Sequence, residues 1–126
     1  MSIFQQGRFI SHAGIALDWK IECDALDDGD WQTLGAIVGA QFRYRHVIGV
    51  PRGGLRLAEF AAQFATHDPA DPVLIVDDVL TTGTSMEETR MKLASQERDK
   101  AIGVVVFSRH SAPPDWIKPI FTMWVD

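Results

Sequence analysis

The feature that most constrains the fold of this chain is a run of four apolar residues followed at once by two carboxylates. Residues 73–76 precede Asp77 and Asp78, and a loop of small hydroxylated residues follows. A short, continuously apolar run indicates a strand covered on both faces, as in the middle of a parallel sheet. Two carboxylates at its end can accept hydrogen bonds from adjacent sugar hydroxyls. The segment therefore predicts a buried strand that ends in a polar ligand site.

The loop after the carboxylates has the composition of an anion site. It consists of Thr81, Thr82, Gly83, Thr84 and Ser85. The glycine lets the backbone approach an anion, and the hydroxyls supply further donors. The helix expected from about Ser85 would add free N–H groups and the positive end of its dipole. Thr84 and Glu87 also match a capping box. A plain capped turn would not explain the two carboxylates, so the segment predicts a site for a phosphorylated ribose.

The rest of the chain alternates strand and helix patterns. We expect a hairpin within residues 8–24, a helix after Asp30 to about Phe42, a strand over His46–Val50, a helix over Leu55–Ala65, a helix over Ser85–Gln96, a strand over Ile102–Phe107 and a last strand over Pro119–Val125. This order predicts an open parallel α/β sheet with flanking helices and right-handed crossovers. Ligands of such sheets bind beyond the carboxyl ends of the strands. Loops 50–54, 77–85 and 108–112 would meet there.

Length and charge limit the class of protein. A chain of 126 residues predicts one domain, and the formal net charge of -5 argues against a nucleic-acid partner. No run approaches the roughly 20 apolar residues that span a bilayer, and we expect no membrane partner. Cys23 is the only cysteine, so an internal disulfide is impossible and a cytoplasmic location is expected.

Two other phosphate-related classes do not match the sequence. A nucleotide-triphosphate loop needs Gly-x-x-x-x-Gly-Lys-Ser/Thr, which is not present. A phosphate-accepting receiver domain shares the apolar strand with two acidic residues, but needs a further aspartate at a later strand end. The strand over Ile102–Phe107 is followed by Ser108, so that class is excluded by its spacing.

Residues 73–85 resemble the phosphoribosyl-pyrophosphate (PRPP) motif of type I phosphoribosyltransferases at every position. The resemblance implies that Asp77 and Asp78 hold the ribose 2- and 3-hydroxyls, while residues 81–85 wrap the 5-phosphate. Residues 49–54 are similar to the pyrophosphate loop of that family, which implies PRPP contacts from Val50, Pro51, Arg52, Gly53 and Gly54. Arg52 would act in catalysis with the two aspartates, as a cation beside the leaving pyrophosphate.

Within that family, the chain is similar to orotate phosphoribosyltransferases. Residues 7–14 resemble their N-terminal hood hairpin, and Arg109 with His110 lies where those enzymes contact the base. The resemblance implies a shortened type I fold with a hood of residues 1–28 and 112–126 and a core of residues 29–111. It also implies Mg²⁺ held indirectly by the aspartates through ribose and water, PRPP and a nucleobase as small-molecule partners, and a homodimer.

The chain also departs from the family pattern. Family members carry a long mobile lid with a basic residue between the pyrophosphate-loop helix and the PRPP strand, and only residues 66–72 fill that gap here. His67 is the one candidate for the missing charge. Two functions remain open: transfer of phosphoribosyl to an orotate-like base, or a PRPP or nucleotide sensor without catalysis. Trp116 or Trp124 could stack a base, although core packing is the usual role of such residues.

Overall fold

The computed structural model describes residues 4–10, 16–21, 23–110 and 112–122. Its strands are β1 (Phe4–Ile10), β2 (Ala16–Ile21), β3 (Val47–Gly49), β4 (Leu74–Leu80), β5 (Ile102–Ser108) and β6 (Ile117–Thr122). Its α-helices are α1 (Asp28–Gln41), α2 (Leu55–Ala61), α3 (Thr84–Met91) and α4 (Ser95–Lys100). None of these helices is both long and apolar enough to cross a membrane.

The larger sheet is open and parallel, as the sequence predicts. Its four strands lie in the order β3-β4-β5-β6, and each neighbouring pair is parallel. Strand β6 therefore belongs to this sheet, although the sequence placed residues 112–126 with the hood. The expected hairpin is present as the antiparallel pair β1-β2, which forms a sheet of its own. Its expected turn at residues 12–14 falls outside the described residues.

The two faces of the larger sheet are covered by different helices. Leu57 of α2 shares a core cluster with Val76 and Val104, whereas Met86 of α3 shares another with Ile75 and Val105. Because successive side chains of a strand point to opposite faces, α2 and α3 lie on opposite sides of the sheet. The β3-α2-β4 and β4-α3-β5 crossovers advance in the same direction across parallel strands. They therefore have opposite hands, and the expected right-handed form holds for only one of them.

Helix α1 packs closely on α2 and on the segment that follows α2. A Cβ atom on Gly35 would lie 2.7 Å from the Cβ of Phe60, and one on Gly39 would lie 2.5 Å from the Phe64 ring. The helix begins with a capping box between Asp27 and Asp30, so the N-cap is Asp27, three residues before Asp30, after which the sequence predicts the helix. This contact fixes α2, and with it the loop that leads into α2 from β3.

The region after β4 differs from the expected single helix over residues 85–96. Helix α3 ends at Met91, where the Leu93 N–H bonds to the Arg90 carbonyl in a tighter turn. Leu93 then packs on the core cluster beside Ile75, and α4 follows as a separate helix. The expected capping box at Thr84 is wrong, because Gly83 is the N-cap residue and supplies no side chain.

We expect Gly35→Ala to lower the free energy of unfolding by about 1–3 kcal/mol, because the added methyl group overpacks the α1-α2 contact. Urea unfolding followed by circular dichroism measures this change. The exposed Gln32→Ala on the same helix is the control, and we expect it to stay within about 0.5 kcal/mol of the parent. Equal stability of both variants would show that α1 and α2 can separate without cost.

Candidate ligand site at the carboxyl ends of the strands

Backbone hydrogen bonds bring three loops together at the carboxyl ends of β3, β4 and β5. The Val50 N–H donates to the Val76 carbonyl at 2.9 Å, which ties the loop after β3 to β4. The Arg109 N–H donates to the Leu80 carbonyl at 3.0 Å, which ties the loop after β5 to the same strand. The three loops that the sequence predicts at one edge of the sheet are therefore adjacent. The loop after β4 lies between the loop after β3 and the loop after β5.

The carboxylates of Asp77 and Asp78 are held by the backbone of their own strand. The Asp78 N–H donates to Asp77 Oδ1 at 2.8 Å, and the Val79 N–H donates to Asp78 Oδ1 at 2.7 Å. Both residues are half-buried. Each carboxylate therefore has a fixed orientation before any ligand binds, which lowers the entropic cost of binding.

Burial and mutual repulsion keep Asp77 protonated at neutral pH. Desolvation is the largest cause, followed by the nearby carboxyl group of Asp78 and its charge; together they raise the pKa of Asp77 from 3.8 to about 8. A ligand that supplies hydroxyl donors or brings a cation would favour the ionised pair. The pair is therefore arranged for a polyhydroxylated or cation-bearing ligand.

The loop after β3 lies against the second carboxylate. A Cβ atom on Gly53 would lie 2.3 Å from Asp78 Oδ2, and one on Gly54 would lie 2.3 Å from the Val76 carbonyl oxygen. Only glycine fits at position 54, where the close atoms belong to the backbone, whereas a side chain at position 53 would displace the Asp78 carboxylate. The Gly54 N–H donates to the Val50 carbonyl at 2.8 Å, so this N–H already has a partner within the loop. Arg52 is exposed, and the peptide bond between Pro51 and Arg52 is cis.

The loop after β4 encloses a small cavity of about 40 Å³. Its lining consists of Asp77, Val79, Leu80, Thr81, Thr82, Gly83, Thr84, Ser85 and Met86. Gly83 has a φ of 82°, which a residue with a side chain rarely adopts. Thr82 Oγ1 donates to Thr84 Oγ1 and accepts from the Thr84 N–H, so the loop is ordered by its own hydroxyl groups. The predicted phosphate-loop residues and one of the two carboxylates thus line one cavity.

The loop after β5 turns at a buried serine. Ser108 is fully buried; its Oγ donates to the His110 carbonyl at 3.1 Å and accepts from the His110 N–H at 3.0 Å. This closed turn holds Arg109, which is half-buried, next to the end of β4, whereas His110 is exposed. The sequence reading identified Arg109 and His110 but gave Ser108 no role.

The turn at residues 66–72 lies at the opposite end of the sheet. The Arg45 N–H, just before the start of β3, donates to the Pro72 carbonyl at 2.8 Å, and the His67 N–H donates to the Arg45 carbonyl. Thr66 Oγ1 donates to Asp71 Oδ2 at 2.6 Å and closes the turn on itself. His67 is therefore held at the amino ends of the strands, and the interpretation that it could replace the basic residue of a lid is wrong.

Trp116 and Trp124 are the two tryptophans that could stack a base according to the sequence. Trp116 lies where β6 begins, at the amino ends of the strands, and its carbonyl accepts from the Gly103 N–H at 2.8 Å. The Arg90 guanidinium lies 4.8 Å from its ring centroid. The Trp116 side chain packs on the core cluster that contains Ile75, and it also lines a cavity of about 380 Å³ together with Thr82, Gly83 and Thr84. Its role in base stacking therefore stays a prediction, and Trp124 lies outside the described residues.

Phe121, which the sequence analysis did not single out, lies near the carboxyl ends of the strands. Its ring stacks on Phe107 with centroids 5.4 Å apart, and 48% of the residue is exposed. Burial along β6 does not alternate, since Ile117 is buried, Lys118 exposed, and Pro119 and Ile120 half-buried, so no periodic signal points to Phe121.

The donor set does not form a dedicated metal cage. Among the described residues, no group of three or more His, Cys, Asp or Glu side chains could hold an ion. Asp77 and Asp78 could help to hold a hard cation such as Mg²⁺ if the ligand and water supplied most of the oxygen atoms around the ion. Mg²⁺ is commonly bound in this way.

Comparison with solved structures defines the class of fold. The chain matches the orotate phosphoribosyltransferase from Aeropyrum pernix with a TM-score of 0.72 and 24% identity over 95% of this chain and 88% of that chain. It matches Leishmania donovani UMP synthase with a TM-score of 0.70 and 16% identity, over 96% of this chain but only 34% of that chain. The Mycobacterium tuberculosis orotate phosphoribosyltransferase matches at 0.63 and 14% identity, covering 97% and 90% of the two chains. No family model and no curated protein sequence matches.

The chain therefore has the type I phosphoribosyltransferase fold, with an open parallel sheet flanked by helices. The resemblance seen in the sequence is confirmed at this level, and all three structures compared here are similar in fold at low sequence identity.

The raised pKa of Asp77 predicts that the unliganded protein loses stability as pH rises from about 4 to 8. In this pH range the folded state keeps a proton on Asp77 that the unfolded state releases. The free energy of unfolding therefore falls as pH rises, by at most about 1.4 kcal/mol per pH unit. Asp77→Asn should remove this contribution and give higher stability than the parent at pH 8. Urea unfolding between pH 4 and 9 measures both curves.

The exposed Asp99→Asn is the matched control, since it removes one carboxylate far from the pair. We expect its stability curve to keep the slope of the parent. If the free energy of unfolding changed with pH in the same way in the parent and in Asp77→Asn, the proposal that a protonated Asp77 is buried would be contradicted.

Proposed function

We propose that this protein binds PRPP with Mg²⁺ and transfers its phosphoribosyl group to an orotate-like nucleobase, releasing pyrophosphate. The observation that carries the proposal is the orientation of the Asp77 and Asp78 carboxylates in the second half of β4, with Asp77 lining the cavity of the hydroxyl-rich loop. Vicinal ribose hydroxyls match the carboxylates, and a 5-phosphate matches the loop. The fold shared with orotate phosphoribosyltransferases supports the same reaction class.

Each of the three loops has one task in this proposal. Asp77 and Asp78 accept hydrogen bonds from the ribose hydroxyls, and residues 81–85 with the first turn of α3 bind the 5-phosphate. Arg52, on the β3 side of the pair, contacts the pyrophosphate. Arg109, on the β5 side, contacts a carboxylate or carbonyl group of the base, to which a guanidinium can donate two hydrogen bonds.

The chemical step breaks the bond between C1 of the ribose and the pyrophosphate oxygen. The electron pair leaves with pyrophosphate, positive charge develops on the sugar, and a ring nitrogen of the base forms the new bond to C1 and loses its proton to solvent. Arg52 stabilises the negative charge that develops on the leaving group, and the ionised aspartates orient the sugar beside its positive charge. When bound, Mg²⁺ would neutralise pyrophosphate charge, held to Asp77 and Asp78 through ribose and water.

A second candidate function is a PRPP or nucleotide sensor without catalysis. The observation that favours it is the turn at residues 66–72, which is locked at the amino ends of the strands and so cannot cover the pyrophosphate. A site open to water loses part of the electrostatic stabilisation that a closed site gives to the transition state. Binding then persists although turnover is slow or does not occur.

Pyrophosphate release separates the two candidates. The protein is mixed with Mg²⁺, PRPP and, in turn, orotate, uracil, hypoxanthine and adenine, and pyrophosphate is followed with a coupled assay. Release that depends on one base would establish transfer and exclude a purely sensory role. PRPP binding by calorimetry without release from any base would establish the sensor.

Removing both carboxylate charges should abolish PRPP binding. We expect the Asp77→Asn/Asp78→Asn double variant to fold, because each asparagine retains an oxygen that can accept the backbone N–H bond. Calorimetric titration with PRPP and Mg²⁺ should give no measurable heat for this variant and a normal isotherm for Asp99→Asn. Binding that survives in the double variant would show that the ribose lies elsewhere.

Gly53→Ala tests the contact between the β3 loop and the pair. The new methyl group would occupy the position of the Asp78 carboxylate, so either the loop or the carboxylate has to move. We expect PRPP affinity to fall at least about tenfold, which corresponds to about 1.4 kcal/mol. Ala62→Gly, a change of similar size on an exposed residue after α2, is the control and should bind PRPP like the parent.

A further inference from the structure

A second cavity lies beside the hydroxyl-rich loop. It has a volume of about 380 Å³ and is bordered by loop residues 82–84, by Glu87 and Glu88 near the start of α3, and by Pro114 and Trp116 just before β6. Small-molecule sites occupy roughly 300–1,000 Å³. The larger cavity therefore has room for a whole small molecule, whereas the cavity inside the loop, at about 40 Å³, has not.

The larger cavity borders the proposed phosphate loop without including the rest of the proposed ligand site. Thr82, Gly83 and Thr84 line both cavities, but the aspartate pair and Arg109 are not among the described residues that line the larger one. A molecule in the larger cavity would therefore contact the same loop that a phosphate contacts from the smaller one. Two ligands that share a contact in this way can change each other's affinity, and such a coupling is reciprocal.

The charge around the larger cavity is negative. Glu87 and Glu88 line it, and the exposed Asp115 lies between two of its lining residues in the sequence. The Arg90 guanidinium pairs with Glu87 at 2.6 Å, but none of the ion pairs between described residues involves Glu88 or Asp115. These two charges favour a cation in the cavity and oppose an anion.

The aromatic wall of the cavity already binds one cation of the chain itself. The Arg90 guanidinium lies 4.8 Å from the centroid of the Trp116 ring, and Glu87 pairs with the same guanidinium. The indole ring and the carboxylate both attract positive charge, so together they hold the cation. The larger cavity offers the same combination to a ligand, with Trp116 as the aromatic wall and Glu88 as the carboxylate.

We infer that the larger cavity is a second ligand site, which takes a small organic cation with a flat apolar part, such as an amidine, and that this cation strengthens phosphate binding at the hydroxyl-rich loop. The direction of the effect follows from charge. Glu88 lies close to the loop and repels a phosphate there, and a cation beside Glu88 removes that repulsion. The cation site is independent of the proposed function, whereas its coupling to phosphate rests on it.

Benzamidine is the probe for the cation site, and benzamide is its neutral analogue of the same shape. Nuclear magnetic resonance titrations of the full chain follow the backbone amides of residues 82–84 and the indole N–H of Trp116. We expect benzamidine to shift these signals with saturation. Benzamide should bind about two- to fivefold more weakly, the contribution of one exposed ion pair.

Glu88→Gln tests the charge, since it keeps the shape of the side chain at an exposed position. We expect it to weaken benzamidine binding by about two- to fivefold. Glu59→Gln is the matched control, because it makes the same change at an exposed glutamate of α2, on the opposite face of the sheet. It should bind benzamidine like the parent.

The coupling is measured by calorimetry with ribose 5-phosphate, in the presence and absence of saturating benzamidine. We expect benzamidine to raise the affinity for ribose 5-phosphate by about two- to fivefold, and ribose 5-phosphate to raise that for benzamidine by the same factor. In Glu88→Gln the repulsion is absent from the start, so this variant should bind ribose 5-phosphate more tightly than the parent and respond less to benzamidine.

The outcomes separate this inference from the proposed function. No saturable shift by benzamidine, equal binding of benzamide, or an unchanged Glu88→Gln overturns the cation site. Orotate shifting the same signals as strongly as benzamidine also overturns it, since the cavity would then accept an anion. Binding of benzamidine and ribose 5-phosphate with no mutual effect overturns the coupling. A parent that binds benzamidine but no ribose 5-phosphate overturns the proposed function and supports the cation site.

Discussion

The site depends on strand β4 being covered on both faces. Its apolar residues alternate between two core clusters, one under α2 and the other under α3. Because both faces are covered, the strand has no freedom to shift its register, and a shift of one residue would move Val76 and Ile75 to the wrong faces. The position of Asp77 and Asp78 follows directly from this constraint, although the strand continues past them to Leu80 and does not end at Val76 as the sequence predicts.

The same burial that fixes the carboxylates makes them unfavourable as an ionised pair. Desolvation and the charge of Asp78 both raise the pKa of Asp77. The unliganded protein resolves this conflict by keeping a proton on Asp77, and a ligand that brought hydroxyl donors and cationic charge would displace it. Under the proposed function, part of the binding energy would then be spent on ionising the pair, and the affinity for a ribose ligand would depend on pH.

Much of the fold and part of the site could be predicted from the sequence, because they depend on local patterns. The apolar run before Asp77 predicted β4, and Gly54 of the β3 loop reflects a contact that no other residue allows. The end of α3 at Met91 could not be predicted, since it depends on Leu93 reaching a cluster formed by distant strands. The opposite hands of the two crossovers also have no local signal, because handedness depends on which face each helix covers.

Neighbours that depend on the folded arrangement of distant segments have no local signal in the sequence. Phe121 is separated from Phe107 along the chain and becomes its partner only through the β5-β6 register. Trp116 is likewise distant along the chain from Thr82, Gly83 and Thr84, and it lines a cavity with them only in the folded structure.

The order of the loops across the sheet matches the order of groups in the proposed ligand. Arg52 belongs to the β3 side, the carboxylates to β4, and Arg109 to the β5 side. The connection from α2 to β4 passes through the locked turn at the amino ends, so it adds nothing to the opposite edge where the ligand would bind. Within the part of the chain that the structure describes, that connection contributes no cover over the pyrophosphate side. Under the proposed function, the ligand would then be held by the loops after β3, β4 and β5 without a cover from this connection.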